Sequence, residues 1–297
     1  MSGGHTEGRI RQRLFVAVQH ALPQHLLSRL AYRLTRSRAP WLKDRLIGAF
    51  MRSYRPEMHE AVEPDPHRYA SFNDFFTRAL RPGCRPIDPD ASAVVSPVDG
   101  LISQIGSLDG TRLLQAKSHE YTLEDLLGLE SGSPSVSRLA RGAFATLYLA
   151  PFNYHRVHMP LEGTLRAAWY LPGRLFSVNS TTAAAVPRLF ARNERIVCMF
   201  DNGAAPFAVV LVGALFVGSM STVWHGQVSP RSPRQRLELP LQGTRSPLHL
   251  PKGAEMGRFN MGSTVIMVLP PGAVVWQPER RVGDSVCVGR RLARVSA

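Results

Sequence analysis

From Ile10 to Leu22 apolar residues return at Ile10, Leu14 and Val18 and again at Ala17 and Ala21, the spacing of a helical face, with arginines beside it. Pro23 ends that run. Leu26, Leu27, Leu30, Ala31 and Leu34 repeat the spacing, and Trp41, Leu42, Leu46, Ala49 and Phe50 predict a third helix after Pro40. Between Glu57 and Asp90 the pattern dissolves into a polar connector with Pro64, Pro66, Pro82, Pro86 and Pro89, holding one short helix over Phe72–Leu80. From Val94 onward short β-forming runs take over: Gly142–Ala150, Gly163–Tyr170, Phe207–Val212, Ala214–Val223, Thr264–Leu269 and Ala273–Trp276, with Gly, Pro, Asn and Asp between them.

The fold class predicted is α+β, with N-terminal amphipathic helices over residues 1–56, a connector over 57–93 and a mainly β domain over 94–297. Asn202–Pro230 contains no Asp, Glu, Lys or Arg, yet Pro206, Gly213 and Gly218 interrupt it, so two or more buried strands account for it better than a spanning helix. Val282–Leu292 alternates apolar and polar residues and predicts a hairpin, which resembles that of barrel-sandwich hybrid domains.

Charge sharpens this picture. The chain has 36 Lys+Arg against 22 Asp+Glu, a net charge of +14, and most of the excess lies before residue 56. An anionic partner follows, though charge alone does not choose between lipid head groups, nucleic acid and a phosphorylated substrate. Basic helices with Leu, Phe and Trp on another face suit the plane of an anionic membrane surface, and a helical cap packed on the main domain fits the same pattern. Interleaved aromatics on a strand platform and known reader motifs are missing, which counts against a nucleic-acid partner. Cys84, Cys198 and Cys287 are far apart and odd in number, so neither a disulfide framework nor a zinc site is predicted.

The candidate chemistry lies in three separated stretches. Gly262-Ser263 stands between a polar turn and the strand-forming run Thr264–Leu269, a place for a strained peptide bond, although most such pairs only reverse the chain. Asp99 sits between Pro97 and Gly100, where a carboxylate projects from a strand end. His155 and His158 flank Arg156. A hydroxyl, an imidazole to take its proton and a carboxylate to orient the imidazole form a nucleophilic set. A His-x-x-His pair could also bind metal, but no third ligand stands at suitable spacing, so no metal is predicted.

Tyr154-His155-Arg156-Val157-His158-Met159-Pro160, Leu171-Pro172-Gly173-Arg174-Leu175-Phe176-Ser177-Val178-Asn179 and Leu189-Phe190-Ala191-Arg192-Asn193-Glu194-Arg195 resemble the phosphatidylserine decarboxylase family in its compact bacterial form. So do Leu22-Pro23-Gln24-His25, Phe72-Asn73-Asp74-Phe75-Phe76, Gln115-Ala116-Lys117-Ser118-His119 and Val212-Gly213-Ala214. Family members carry Leu-Gly-Ser-Thr at the processing site, where this chain has Met261-Gly262-Ser263-Thr264. Leu to Met keeps volume and apolarity.

The resemblance implies a carboxy-lyase made as a proenzyme. Ser263, deprotonated by His158 with Asp99 behind it, attacks the Gly262 carbonyl; elimination then leaves chains 1–262 and 263–297, which stay associated, and a pyruvoyl group derived from Ser263. That cofactor forms a Schiff base with phosphatidylserine, which loses CO2 and becomes phosphatidylethanolamine. His155 is implied in decarboxylation or head-group contact and Ser177 in the substrate pocket. A homodimer, peripheral on the cytoplasmic face of the bacterial inner membrane, is also implied. The rival reading is a membrane-associated serine hydrolase using Asp99, His158 and Ser263.

Overall fold

A computed structural model describes residues 16–116, 119–203, 205–216, 219–228, 235–240, 247–261 and 263–296. Residues 16–21 are helical and are followed by helices Gln24–Thr35 and Pro40–Tyr54. Pro40 occupies the first turn of its helix, where its missing N–H leaves no bond unmade. The start of the first predicted helix lies outside the described residues.

Ile47 and Phe50 of the helix Pro40–Tyr54 pack with Phe72, Phe75 and Phe76 of the connector into a small core of their own. Phe50 meets each of the three connector rings edge-on, with centroids 5.5–5.8 Å apart, a favoured aromatic geometry. Met261 packs against both this cluster and the main core, so the predicted processing stretch lies at the seam between them.

The main core is built on an antiparallel sheet of nine strands. Its spine runs Gly163–Leu171, Arg195–Asp201, Pro206–Val212, Ser263–Leu269, Ala143–Leu149 and Gly100–Ser107, with shorter strands at both margins. Every residue of Ser263–Leu269 is buried, as its unbroken run of β-branched and apolar side chains predicts for a strand covered on both faces. Three further sheets complete the body. One orders Gly226–Val228, Met220–Thr222, Glu255–Phe259 and Arg156–His158; another joins Ala93–Val95, Arg291–Val295 and Val274–Trp276; the third pairs Arg112–Ala116 with His119–Thr122.

Among the described residues no sheet closes into a barrel, and the predicted C-terminal hairpin is corrected. Ser285–Val286 pairs with Gly100 and Leu101, whereas Arg291–Val295 pairs with Ala93–Val95 and Val274–Trp276. Alternation of apolar residues specifies a strand's faces and says nothing about its partner. The strand expected over Ala214–Val223 shrinks to Met220–Thr222, which Gly257 of the neighbouring strand meets closely: a Cβ there would stand 2.5 Å from the Ser221 carbonyl oxygen. Within the charge-free stretch after Asn202 the described strands are Pro206–Val212, Met220–Thr222 and Gly226–Val228.

Candidate active site

Antiparallel pairing gathers the separated motifs at one end of the main sheet. Leu171 pairs with Arg195, Arg195 with Val212, Val212 with Thr264, and Ser263 with Leu149; Leu101 pairs with Tyr148 next door. The stretches beginning at Leu171 and Tyr154, those ending at Arg195 and Asp99, and Val212–Ala214 therefore all lie at or just beyond this edge. Stretches far apart in the sequence become one neighbourhood.

Ser263 opens the central strand and is buried, and among the described residues its hydroxyl has no hydrogen-bond partner. Gly262 lies outside the described residues. Asp99 stands immediately before Gly100–Ser107, the strand-end position that the sequence predicts, and it is buried there. With Ala143–Leu149 between them, the strand that follows Asp99 and the strand that Ser263 opens are about 10 Å apart, two strand spacings. Asp99 is held by Arg85, whose Nε donates at 3.0 and 2.9 Å and whose Nη2 donates at 2.6 Å, and by the Val288 N–H at 2.8 Å. Arg85 also grips Glu60 through two bonds of 2.9 and 2.8 Å.

His158 lies on the neighbouring sheet, and its backbone N–H donates to the Pro97 carbonyl two residues before Asp99. Its Nδ1–H donates to the Gly253 carbonyl at 2.8 Å, which leaves Nε2 to accept from the Tyr154 hydroxyl at 3.1 Å. Burial lowers its pKa, which favours the neutral base. Among the described residues no hydrogen bond joins Asp99 to His158 or His158 to Ser263. The three residues share an end of the molecule without forming a bonded relay.

His155 is fully buried against Phe76, with ring centroids 4.1 Å apart. Its Nδ1–H donates to the Asn153 carbonyl at 2.8 Å, and Nε2 has no partner among the described residues. Burial lowers its pKa to about 3. Ser177 sits in the loop after Leu171, where its backbone N–H donates to Gln19 of the first helix; this ties the loop to the N-terminal region. Among the described residues His155 and His158 belong to no group of three or more side chains placed to share a metal ion. The one such group of three among the described residues is Glu57, His59 and Glu60, and Glu60 is already engaged by Arg85.

A cleft of about 480 Å³ opens at this end, lined by Tyr54, Arg85, Asp99, Phe152, Tyr154 and Cys287 among others. Through Tyr154 it reaches His158.

A family model described as phosphatidylserine decarboxylase matches residues 72–294, and one described as PSD matches residues 14–55. The chain is 50% identical over 283 residues to the phosphatidylserine decarboxylase proenzyme of Bordetella pertussis, covering 95% of both chains. It is 49% identical over 286 residues to that of Pseudomonas fluorescens, covering 95% of this chain and 98% of the relative. The chain belongs to the phosphatidylserine decarboxylase family. The longer match contains the whole sheet end with Asp99, His155, His158 and Ser263, and the shorter one contains the helices Gln24–Thr35 and Pro40–Tyr54.

For a phosphatidylserine decarboxylase the sequence left three groups at this end without a role. Tyr154 lies inside the quoted Tyr-His-Arg-Val-His-Met-Pro run, and Glu194 lies inside Ala-Arg-Asn-Glu-Arg. Arg85 had no local signal, because its partners stand 14 and 25 positions away. Arg195 is structural: its buried guanidinium donates to the carbonyls of Leu126, Asp125, Ala191 and Asn193.

His155 yields a stability prediction. Its folded pKa lies below the unfolded value of about 6.5, so its contribution is complete above that pH and is lost as pH falls toward about 3. Between pH 5 and 6.5, where most carboxylates stay ionised, wild type should lose stability on acidification faster than His155→Gln. The difference in slope approaches about 1.4 kcal/mol per pH unit. Urea unfolding at several pH values measures it, and equal slopes would refute the buried neutral imidazole.

Proposed function

We propose that this chain is a self-processing phosphatidylserine decarboxylase in which Ser263 is both the nucleophile of chain cleavage and the source of a pyruvoyl group. The observation that carries this reading is the Ser263 hydroxyl, buried and unpartnered at the mouth of the central strand. A buried hydroxyl left without a bond costs about 1–3 kcal/mol, a cost that makes sense for a residue that is consumed. When formed, the pyruvoyl group supplies a ketone that draws electrons from the substrate carbon losing CO2.

The chain's residues have separable parts in this reading. The Gly253 carbonyl fixes the tautomer of His158 and leaves Nε2 as the base, with the Tyr154 hydroxyl occupying it until Ser263 or substrate takes its place. Asp99, anchored by Arg85 and the Val288 N–H, biases that imidazole through its charge. His155 presents a neutral Nε2 in a dry pocket, ready to exchange a proton or bind the head group. Ser177 lies on the loop bordering the same sheet end and is the weaker pocket candidate.

The N-terminal helices serve as the membrane contact. In Gln24–Thr35 the buried residues are Gln24, Ser28 and Thr35, while Leu26, Leu30 and Leu34 are exposed one above the other, Leu26 by 64%. Such inverted amphipathicity supports contact with an apolar phase beyond the protein. Trp41, exposed by 69%, and the exposed Arg29, Arg33 and Arg45 add an interfacial aromatic and cations worth about 1 kcal/mol each near anionic lipid. No described helix is long and apolar enough to cross a membrane. Tyr54 and Phe152 are also exposed beside the cleft, which gives a two-chain lipid an apolar approach. The proposed setting is peripheral, on the cytoplasmic face of the inner membrane, as a homodimer whose two cleavage products stay joined by the central strand's pairing to both neighbours.

Serine at positions 26, 30 and 34 together should weaken binding to anionic vesicles at least tenfold with little change in thermal midpoint, since these leucines face outward. Vesicle co-sedimentation tests this, and undiminished binding would point to a helical cap. For the activity itself, cyanoborohydride added with phosphatidylserine vesicles should attach substrate to the residue 263–297 chain and stop CO2 release. Labelling of an intact chain by a serine-directed fluorophosphonate instead would favour the hydrolase.

A further inference from the structure

Glu194 is fully buried beside the strand end that holds Ser263. One carboxylate oxygen accepts from the Tyr170 hydroxyl at 3.0 Å; the other, Oε1, has no partner among the described residues. Its position follows from the register. Arg195 pairs with Val212 and Val212 with Thr264, so stepping past this row aligns Glu194, Gly213 and Ser263. The Gly213 N–H donates to the Glu194 carbonyl at 2.8 Å, extending the pairing to this row. Aligned residues share a face, which places the side chains of Glu194 and Ser263 on the same side of the sheet with Gly213 between them.

Gly213 leaves that space open. A Cβ on it would stand 3.0 Å from Glu194 Cγ and 3.2 Å from the unpartnered Oε1, so the carboxyl leans over the glycine, above the strand adjoining Ser263. Two buried polar groups without partners thus flank one residue that has no side chain.

We propose that Glu194 is a positioning residue of the processing site: its free oxygen, not bonded to Ser263 in this structure, closes over Gly213 to hold the Ser263 hydroxyl as it attacks the preceding carbonyl. The inference rests on the reading of Ser263 as the processing nucleophile. Burial raises the Glu194 pKa to about 7, so the carboxyl passes from donor to acceptor near neutrality and its grip on the hydroxyl strengthens as it ionises. Tyr170 is the titratable group that faces it. Arg195 points to the opposite face, and burial holds His158 below its ordinary value.

The test is a time course of self-cleavage after cell-free synthesis, read by intact mass at pH 6, 7 and 8. Unaltered chain should cleave several-fold faster at pH 8 than at pH 6. Glu194→Gln keeps the shape and one hydrogen bond; it should cleave within about threefold of wild type at pH 7 and lose most of that pH dependence. Glu194→Leu and Gly213→Ala, which remove the oxygen and fill its path, should cleave at least tenfold more slowly while retaining wild-type circular dichroism. Wild-type cleavage by folded Glu194→Leu, or an unchanged pH profile in Glu194→Gln, overturns the proposal. If the leucine variant does not fold, the pH profile of the glutamine variant decides. Failure of the unaltered chain to cleave at any pH would overturn the function reading itself.

Discussion

Replacing Ser263 with alanine should leave the chain uncut at 32.8 kDa and reduce phosphatidylserine decarboxylation to background, while the protein still folds. Both losses have one cause, because the missing oxygen is the nucleophile of cleavage and its residue is the source of the catalytic ketone. Folding should survive because the hydroxyl makes no hydrogen bond and alanine fits the buried opening of the strand. Removing an unsatisfied buried hydroxyl is neutral or stabilising by about 1 kcal/mol. Gel mobility, activity and thermal unfolding on one preparation check all three, and an uncut but active variant would break the link between cleavage and catalysis.

Arg85→Leu should produce the largest loss of stability among single changes at this end. Arg85 is the hub for Asp99, whose side chain is only 7% exposed, and for Glu60, whose pKa is lowered chiefly by its bonds to Arg85. Without the guanidinium, Asp99 keeps the Val288 N–H but loses its countercharge. Leaving a buried charge unpaired costs about 3–5 kcal/mol, reduced here to the extent that water reaches Glu60. Self-cleavage should slow as well, because Asp99 would no longer be fixed beside the segment that pairs with His158. Arg85→Lys should recover part of the stability and less of the geometry, since a lysine cannot make the forked contact. Denaturation and cleavage rates of both variants, compared with Asp99→Asn, separate the charge from its anchoring. Wild-type stability in Arg85→Leu would contradict this account.

Legibility differed between elements for physical reasons. The N-terminal helices announced themselves through spacing, and Ser263–Leu269 through an unbroken β-branched run, because those signals are local; the helices Leu123–Leu127, Pro134–Leu139, Ser180–Ala185 and Leu189–Arg192, each under two turns, were too short to show a period. The C-terminal segments misled because a strand's alternation fixes its faces while its partners are set by the rest of the fold; Ser285 ended beside Leu101, far away in sequence. Ser263, His158 and Asp99 were recognisable as residue types in suggestive settings. Their real neighbours were not, since the Arg85 clamp, the Gly253 carbonyl and the Tyr154 hydroxyl become partners only when distant segments meet. The leucines of Gln24–Thr35 were legible as a stripe, yet the choice between core and membrane needed the structure: the stripe faces outward, with Gln24 and Ser28 buried behind it.

Intact mass spectrometry of the purified, unaltered protein tests the central claim most directly. The account predicts two chains, residues 1–262 and 263–297, the smaller with a blocked N-terminus that gains the mass of a reduced ketone after borohydride treatment. A folded, vesicle-binding protein that persists as a single unmodified chain of 32.8 kDa would contradict it.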